Sequence, residues 1–128
     1  MEKKHRVGFY DSAFDDLLGI ELGSLPIYQS KGLKTHLLRQ KHYKALKYLD
    51  SVPDIIKSPD YVGCRRKNES LSIEFVKVFE ENILLVVRLD EEEKTFHVAT
   101  LYDLSKRNLQ RFLHTGQLVK VIDKETTK

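Results

Sequence analysis

Between residues 61 and 102 the apolar positions follow the period of strands. Leu71, Ile73 and Phe75 alternate with Ser72 and Glu74, so that segment has one apolar face. Val76 and Val78 then switch phase, the mark of a bulge or of a strand covered on both faces. Residues 83–89 are nearly all apolar, which predicts a central strand. Residues 95–102 read as a further strand, with Phe96, Val98, Thr100 and Tyr102 on one face and His97, Ala99 and Leu101 on the other. Residues 61–65 are another candidate strand, and Asn68-Glu69-Ser70 and Glu81-Asn82 are turns.

Elsewhere the period lengthens. Across residues 32–56, Leu38, Ala45, Leu49 and Val52 recur at spacings of 7, 4 and 3, a helical stripe. The pattern leaves open whether this is one helix or two with a break near His42. Arg6 to Tyr10 reads as a short strand. Asp11 or Ser12 is placed to cap a helix over 13–18 that Gly19 stops. Leu25 precedes Pro26 and is therefore extended. Ser105 caps a last helix over 106–114, Gly116 ends it, and residues 118–122 offer a short edge strand. The expected organisation is a single domain over 1–128: an extension (1–30), a helical segment (31–56), an antiparallel sheet (61–102) and a C-terminal helix (105–116). Helices first and consecutive strands after them make an α+β fold, with helices packed on one face of the sheet.

Composition narrows the function. The 128 residues are 41% apolar and 32% charged, as in a globular chain of one domain. No apolar run approaches the roughly 18–20 residues of a membrane span, and the short stretch before Asp11 is too brief for a signal peptide. A cytoplasmic protein is expected, without membrane partners. Cys64 is the only cysteine, which excludes an internal disulfide and a cysteine-based zinc finger. Residues 31–67 carry ten basic and three acidic side chains, while 68–103 carry three basic and nine acidic. The basic segment either attracts phosphate in a salt-dependent way or simply solvates the outer face of a helix.

His36 and His42 lie six apart with no carboxylate cluster beside them, and the glycines are scattered. Neither a metal site nor a phosphate-binding glycine loop is expected, and no cofactor. On an unbroken helix His36, Arg39 and His42 would form a slanted stripe, each step turning about 60°. Two imidazoles flanking a guanidinium suit phosphodiester cleavage: one takes a proton, the other gives one, and the arginine stabilises the phosphorane. Alternatively, His42 is in register with Leu38, Ala45 and Leu49 and sits at the core edge. Thr100 and Tyr102 can both hydrogen-bond a phosphate, and the tyrosine can stack on a base; they are also ordinary strand formers. On the strand over 71–79, Lys77 can bind phosphate or Glu74 act in acid–base work, if either faces the site. Lys34, Lys41 and the run Arg65-Arg66-Lys67 are candidate RNA backbone ligands.

The sequence Ile27-Tyr-Gln-Ser30-Lys-Gly32-Leu33-Lys-Thr-His36 with His42, then Tyr48-Leu49-Asp50 through Pro53, Pro59-Asp60-Tyr61 and Gly63, resembles the phage-type branch of the Barnase–EndoU–colicin–RelE-like (BECR) nucleases. Val98-Ala-Thr100-Leu-Tyr102-Asp103 resembles that branch's closing strand. The resemblance runs from about Ile27 to Leu113, and Tyr43 departs from it where relatives often have proline. It implies N-terminal helices packed on one face of a roughly four-stranded antiparallel sheet, and a metal-independent RNase. It points to His36, His42, Thr100 and Tyr102 as catalytic, with Lys77 a weaker correspondence. The expected protein is thus an RNA endonuclease that leaves a 2′,3′-cyclic phosphate, of the kind found in toxins, phages and mobile elements. An active RNase in a cell calls for an antidote or immunity protein, or for a narrow target. A second expectation, of a different class, is a non-catalytic module binding RNA or an acidic protein through the 31–67 surface.

Overall fold

The computed structural model describes residues 4–122. The chain opens with β1 (Lys4–Tyr10), the short helix α1 (Phe14–Leu18) and β2 (Leu25–Ser30). The helical region divides into α2 (Leu33–Arg39), α3 (Tyr43–Leu46), a turn of 3-10 helix at Leu49–Ser51, and α4 (Val52–Lys57). Four strands then follow in succession: β3 (Tyr61–Lys67), β4 (Ser70–Val78), β5 (Asn82–Asp90) and β6 (Thr95–Leu104). Helix α5 (Lys106–Thr115) and the two-residue β7 (Val119–Lys120) close the described chain.

The sheet is larger than the roughly four antiparallel strands expected. It has seven strands in the order β1-β2-β6-β5-β4-β3-β7, and it is mixed, because β2 runs parallel to β6. The additional strands were visible as extended segments, but their partners were not. Hairpins between chain neighbours are local, whereas the parallel contact of Ile27 with Phe96 and Tyr28 with His97 joins distant segments. β1 then extends the sheet beyond β2, and β7 borders β3 at the opposite edge.

Each face of the sheet packs a core. On one, Ile73, Phe75, Leu85, Val87 and Phe96 meet Phe14 of α1, Leu37 of α2 and Ile55 of α4. On the other, Val76, Leu84 and Leu104 meet Leu109 of α5 and Leu118. That second core is smaller and covers only part of its face. β5 is the apolar centre that its composition predicts: Ile83, Leu84, Leu85 and Val87 are fully buried. The central stripe does not form one helix. Ala45 and Val52 are buried, but Leu38 is exposed, because the chain turns between α2 and α3. No helix among the described residues is long and apolar enough to cross a membrane.

Candidate active site

The open part of the second face is shaped by a bulge in β6. Val86 pairs with Thr100, yet Val87 pairs with Val98, so Ala99 has no residue opposite it. One extra residue inverts the phase of a strand. Phe96 and Val98 therefore lie with the larger core, while Thr100 and Tyr102 turn to the opposite face. The expectation that all four share a face is corrected by this bulge. His97 pairs with Arg88 and lies on the face of Thr100, where its Nε2 is 3.1 Å from the Thr95 hydroxyl and its ring contacts Tyr28.

The turn after α2 supplies the wall of the site. Helix α2 ends at Arg39, and Lys41 takes a left-handed conformation (φ 61°) that turns the chain sharply. A side chain pays for that conformation with roughly 1–2 kcal/mol, and such residues collect at functional sites. The His42 amide donates to the Leu37 carbonyl (2.9 Å), which folds the turn back, and the His42 ring stacks on Tyr102 at 5.5 Å between centroids. His36 and Gln40, four residues apart on one helical face, point the same way. His36, Gln40, His42, Arg88, Thr100 and Tyr102 line one cavity of about 410 Å³.

A second cavity of about 550 Å³ continues across the sheet and shares Arg88, Thr100 and Tyr102 with the first. Its floor holds Glu74, which is only 4% exposed. Burial pushes the Glu74 carboxyl up from the usual range, against the opposing pull of the Arg65 guanidinium (3.7 Å) and of Gln117, whose side-chain amide donates to Oε1 (3.2 Å). Burial, and secondly the Glu74 charge, raise the Tyr102 phenol. Tyr102 therefore stays a neutral hydrogen-bond donor at physiological pH. The Thr100 hydroxyl is buried without a hydrogen-bond partner, a state that calls for a ligand or other explanation. Arg88 is exposed and makes no ion pair with any described residue.

Of the candidates from spacing, the fold brings together His36, His42, Thr100 and Tyr102, and places Arg65 and Lys67 at the adjoining cavity. Others lie apart. Arg39, Lys34 and Lys41 are exposed on the α2 side and line neither cavity. Because α2 ends before His42, His36, Arg39 and His42 do not form one helical stripe, and Arg39 is exposed. Arg66 follows Arg65 along β3 and so projects to the other face. Lys77 also faces away: its Nζ donates to the Ser58 carbonyl (2.8 Å) and hydroxyl (3.1 Å), tying β4 to the end of α4. Arg88 and Gln40 were not singled out by spacing. The one signal for Arg88 is a charge inside an otherwise apolar central strand. Among the described residues no three His, Cys, Asp or Glu side chains gather as metal ligands would.

No curated protein and no solved structure matches the chain. One family model does, that of the phage-Barnase-EndoU-ColicinE5/D-RelE like nuclease3, over residues 4–111. That span takes in every strand of the sheet except β7, both histidines of the cavity wall and both ends of the β6 bulge. The chain therefore belongs to the phage Barnase–EndoU–ColicinE5/D–RelE-like nucleases.

Proposed function

We propose that the chain is a metal-independent RNA endonuclease whose reaction takes place in the cavity between the α2–α3 turn and β6. The observation that carries this reading is the convergence of two imidazoles, an exposed guanidinium without an ion pair among the described residues and two hydroxyls on one cavity of a nuclease-family protein. Those groups suit a nucleophile that the substrate itself supplies. The ribose 2′-oxygen attacks the adjacent phosphorus, one of His36 and His42 takes its proton, and an O2′–P bond forms. The P–O5′ bond breaks as the other histidine protonates the leaving oxygen. The products are a 2′,3′-cyclic phosphate and a 5′-hydroxyl end. Arg88 takes the part first expected of Arg39, balancing charge on the phosphorane, and the hydroxyls of Thr100 and Tyr102 donate to its oxygens.

The test is cleavage of total tRNA and ribosomal RNA with EDTA present. Wild type is expected to give discrete fragments with cyclic-phosphate ends. Positioned acid–base groups contribute about 10²–10⁴-fold each, so His36→Ala and His42→Ala should each lose at least about a hundredfold. Arg88→Gln should lose about 10²–10³-fold, the scale of one charge-stabilising donor. Cleavage that stops in EDTA would overturn the metal-independent mechanism. RNA that is bound but never cut would favour a binding module instead.

A further inference from the structure

Beyond Arg88, Thr100 and Tyr102, which it shares with the first cavity, the second cavity presents further cations in an ordered row. Cross-strand pairing puts Arg65 opposite Ser72, and Ser72 opposite Arg88, on the face of Thr100 and Tyr102. Lys67 lies two residues beyond Arg65, on the same side of β3, and lines the same cavity. The position of Lys67 is fixed by a tight hairpin: it pairs with Ser70 across Asn68 and Glu69, both left-handed (φ 51° and 68°), as in a two-residue primed turn. Lys67 and Arg88 make no ion pair with any described residue, and Arg65 meets the single buried carboxylate of Glu74. The row therefore keeps an excess of positive charge toward solvent, next to the cavity of the histidines.

Its distance from the scissile position sets what it can bind. From β6 to β3 is three strand spacings of about 4.8 Å, or about 14 Å. A stacked strand advances about 3.4 Å per nucleotide, so Arg65 and Lys67 on β3 lie more than one nucleotide from a phosphate held at Thr100. Unpaired segments are where the RNA backbone bends and splays most readily into such a site.

We propose that Arg65 and Lys67, continuous with Arg88, form a second phosphate subsite, which holds a backbone phosphate of single-stranded RNA at least one nucleotide away from the cleaved bond. This rests on the endonuclease reading for the position of the cleaved bond, but the subsite's binding is measured without cleavage. Arg66 is the natural control, since it carries the same charge on the same strand and faces away.

The experiment uses fluorescence anisotropy with two uncleavable 2′-O-methyl RNAs, one of about eight nucleotides and one dinucleotide with a single phosphate. Lys67→Gln, alone and with Arg65→Gln, is expected to weaken the octamer about tenfold for the pair, and to flatten its salt slope by about 0.7 for the one phosphate lost. The loss should be confined to the octamer and absent in Arg66→Gln. The single Lys67→Gln variant, which leaves the Arg65–Glu74 ion pair in place, keeps the test valid if the double variant melts early. An equal loss on both ligands, no loss on the octamer, or the same loss in Arg66→Gln would overturn the subsite. An octamer that binds as expected but is never cut in its 2′-hydroxyl form would end the endonuclease reading and leave the subsite standing.

Discussion

At the scale of single residues, Glu74 has the most to report. It is a carboxyl placed on a sheet floor, so its proton is held to higher pH in the folded chain than in the unfolded one. Between the ordinary carboxylate pKa of about 4.3 and that raised value, the native state binds more protons, and stability falls as pH rises. Glu74→Gln removes this loss. Its unfolding free energy relative to wild type should therefore climb as pH is raised from about 4 to 7, as read by urea denaturation at each pH. A difference that stays constant would mean that Glu74 titrates in the fold as it does in water. Tyr10 is a simpler case on the opposite face: fully buried, it donates to Asp15 (2.7 Å), which also accepts from the Leu22 and Gly23 amides (3.0 and 2.8 Å). Tyr10→Phe should cost about 2 kcal/mol in chemical denaturation, the worth of a hydrogen bond to a charged acceptor.

At the scale of elements, the site depends on close approaches between backbone segments. Gly63 in β3 lies under the loop that follows α5, and a Cβ there would stand 2.1 Å from the Gln117 carbonyl oxygen. Only glycine lets that loop lie on the sheet, bringing Gln117 to Glu74 and Leu118 into the smaller core. Gly63→Ala should displace the loop, at a cost of about 1–3 kcal/mol for overpacking, read as a lower Tm in thermal denaturation. Unchanged thermal stability in that variant would contradict the contact. The β6 bulge works in the same way: with Ala99 held in the ladder, strict alternation would put Thr100 and Tyr102 on the face of Phe96 and Val98.

At the scale of the whole molecule, the two cores share β4, β5 and β6. Unfolding either face removes the strands on which the other is built, so the described chain should unfold in one transition. Leu109→Ala, which empties a 5%-exposed position in the smaller core, tests this. It is expected to cost about 3 kcal/mol and to shift a single calorimetric peak. A split peak would show that α5 and its face melt separately. The charge pattern also gains meaning at this scale. The ten basic residues of 31–67 do not act as one patch, because Lys34, Arg39 and Lys41 lie on the α2 side, away from the cavity that Arg65 and Lys67 line.

Local pattern alone determined the element types. The alternation of Leu71, Ile73 and Phe75, the apolar run of β5, the Ser105 cap with its hydroxyl accepting from the Asn108 amide, and the Gly116 stop all act within a few residues of themselves. The pairing of His36 and His42 with Thr100 and Tyr102 was legible through the family resemblance. What the sequence could not settle was phase and partnership. A bulge changes which face Thr100 shares, yet leaves no composition signal, because Ala99 is an ordinary residue in a strand. The turn at Lys41 that breaks the stripe of His36, Arg39 and His42 arises where no glycine marks it. Arg88 joins the site only because β5 lies beside β6, and β2 joins the sheet only through a parallel contact with a distant segment. These are long-range choices among hydrogen-bond partners, decided by which arrangement buries both faces of the central strands at once.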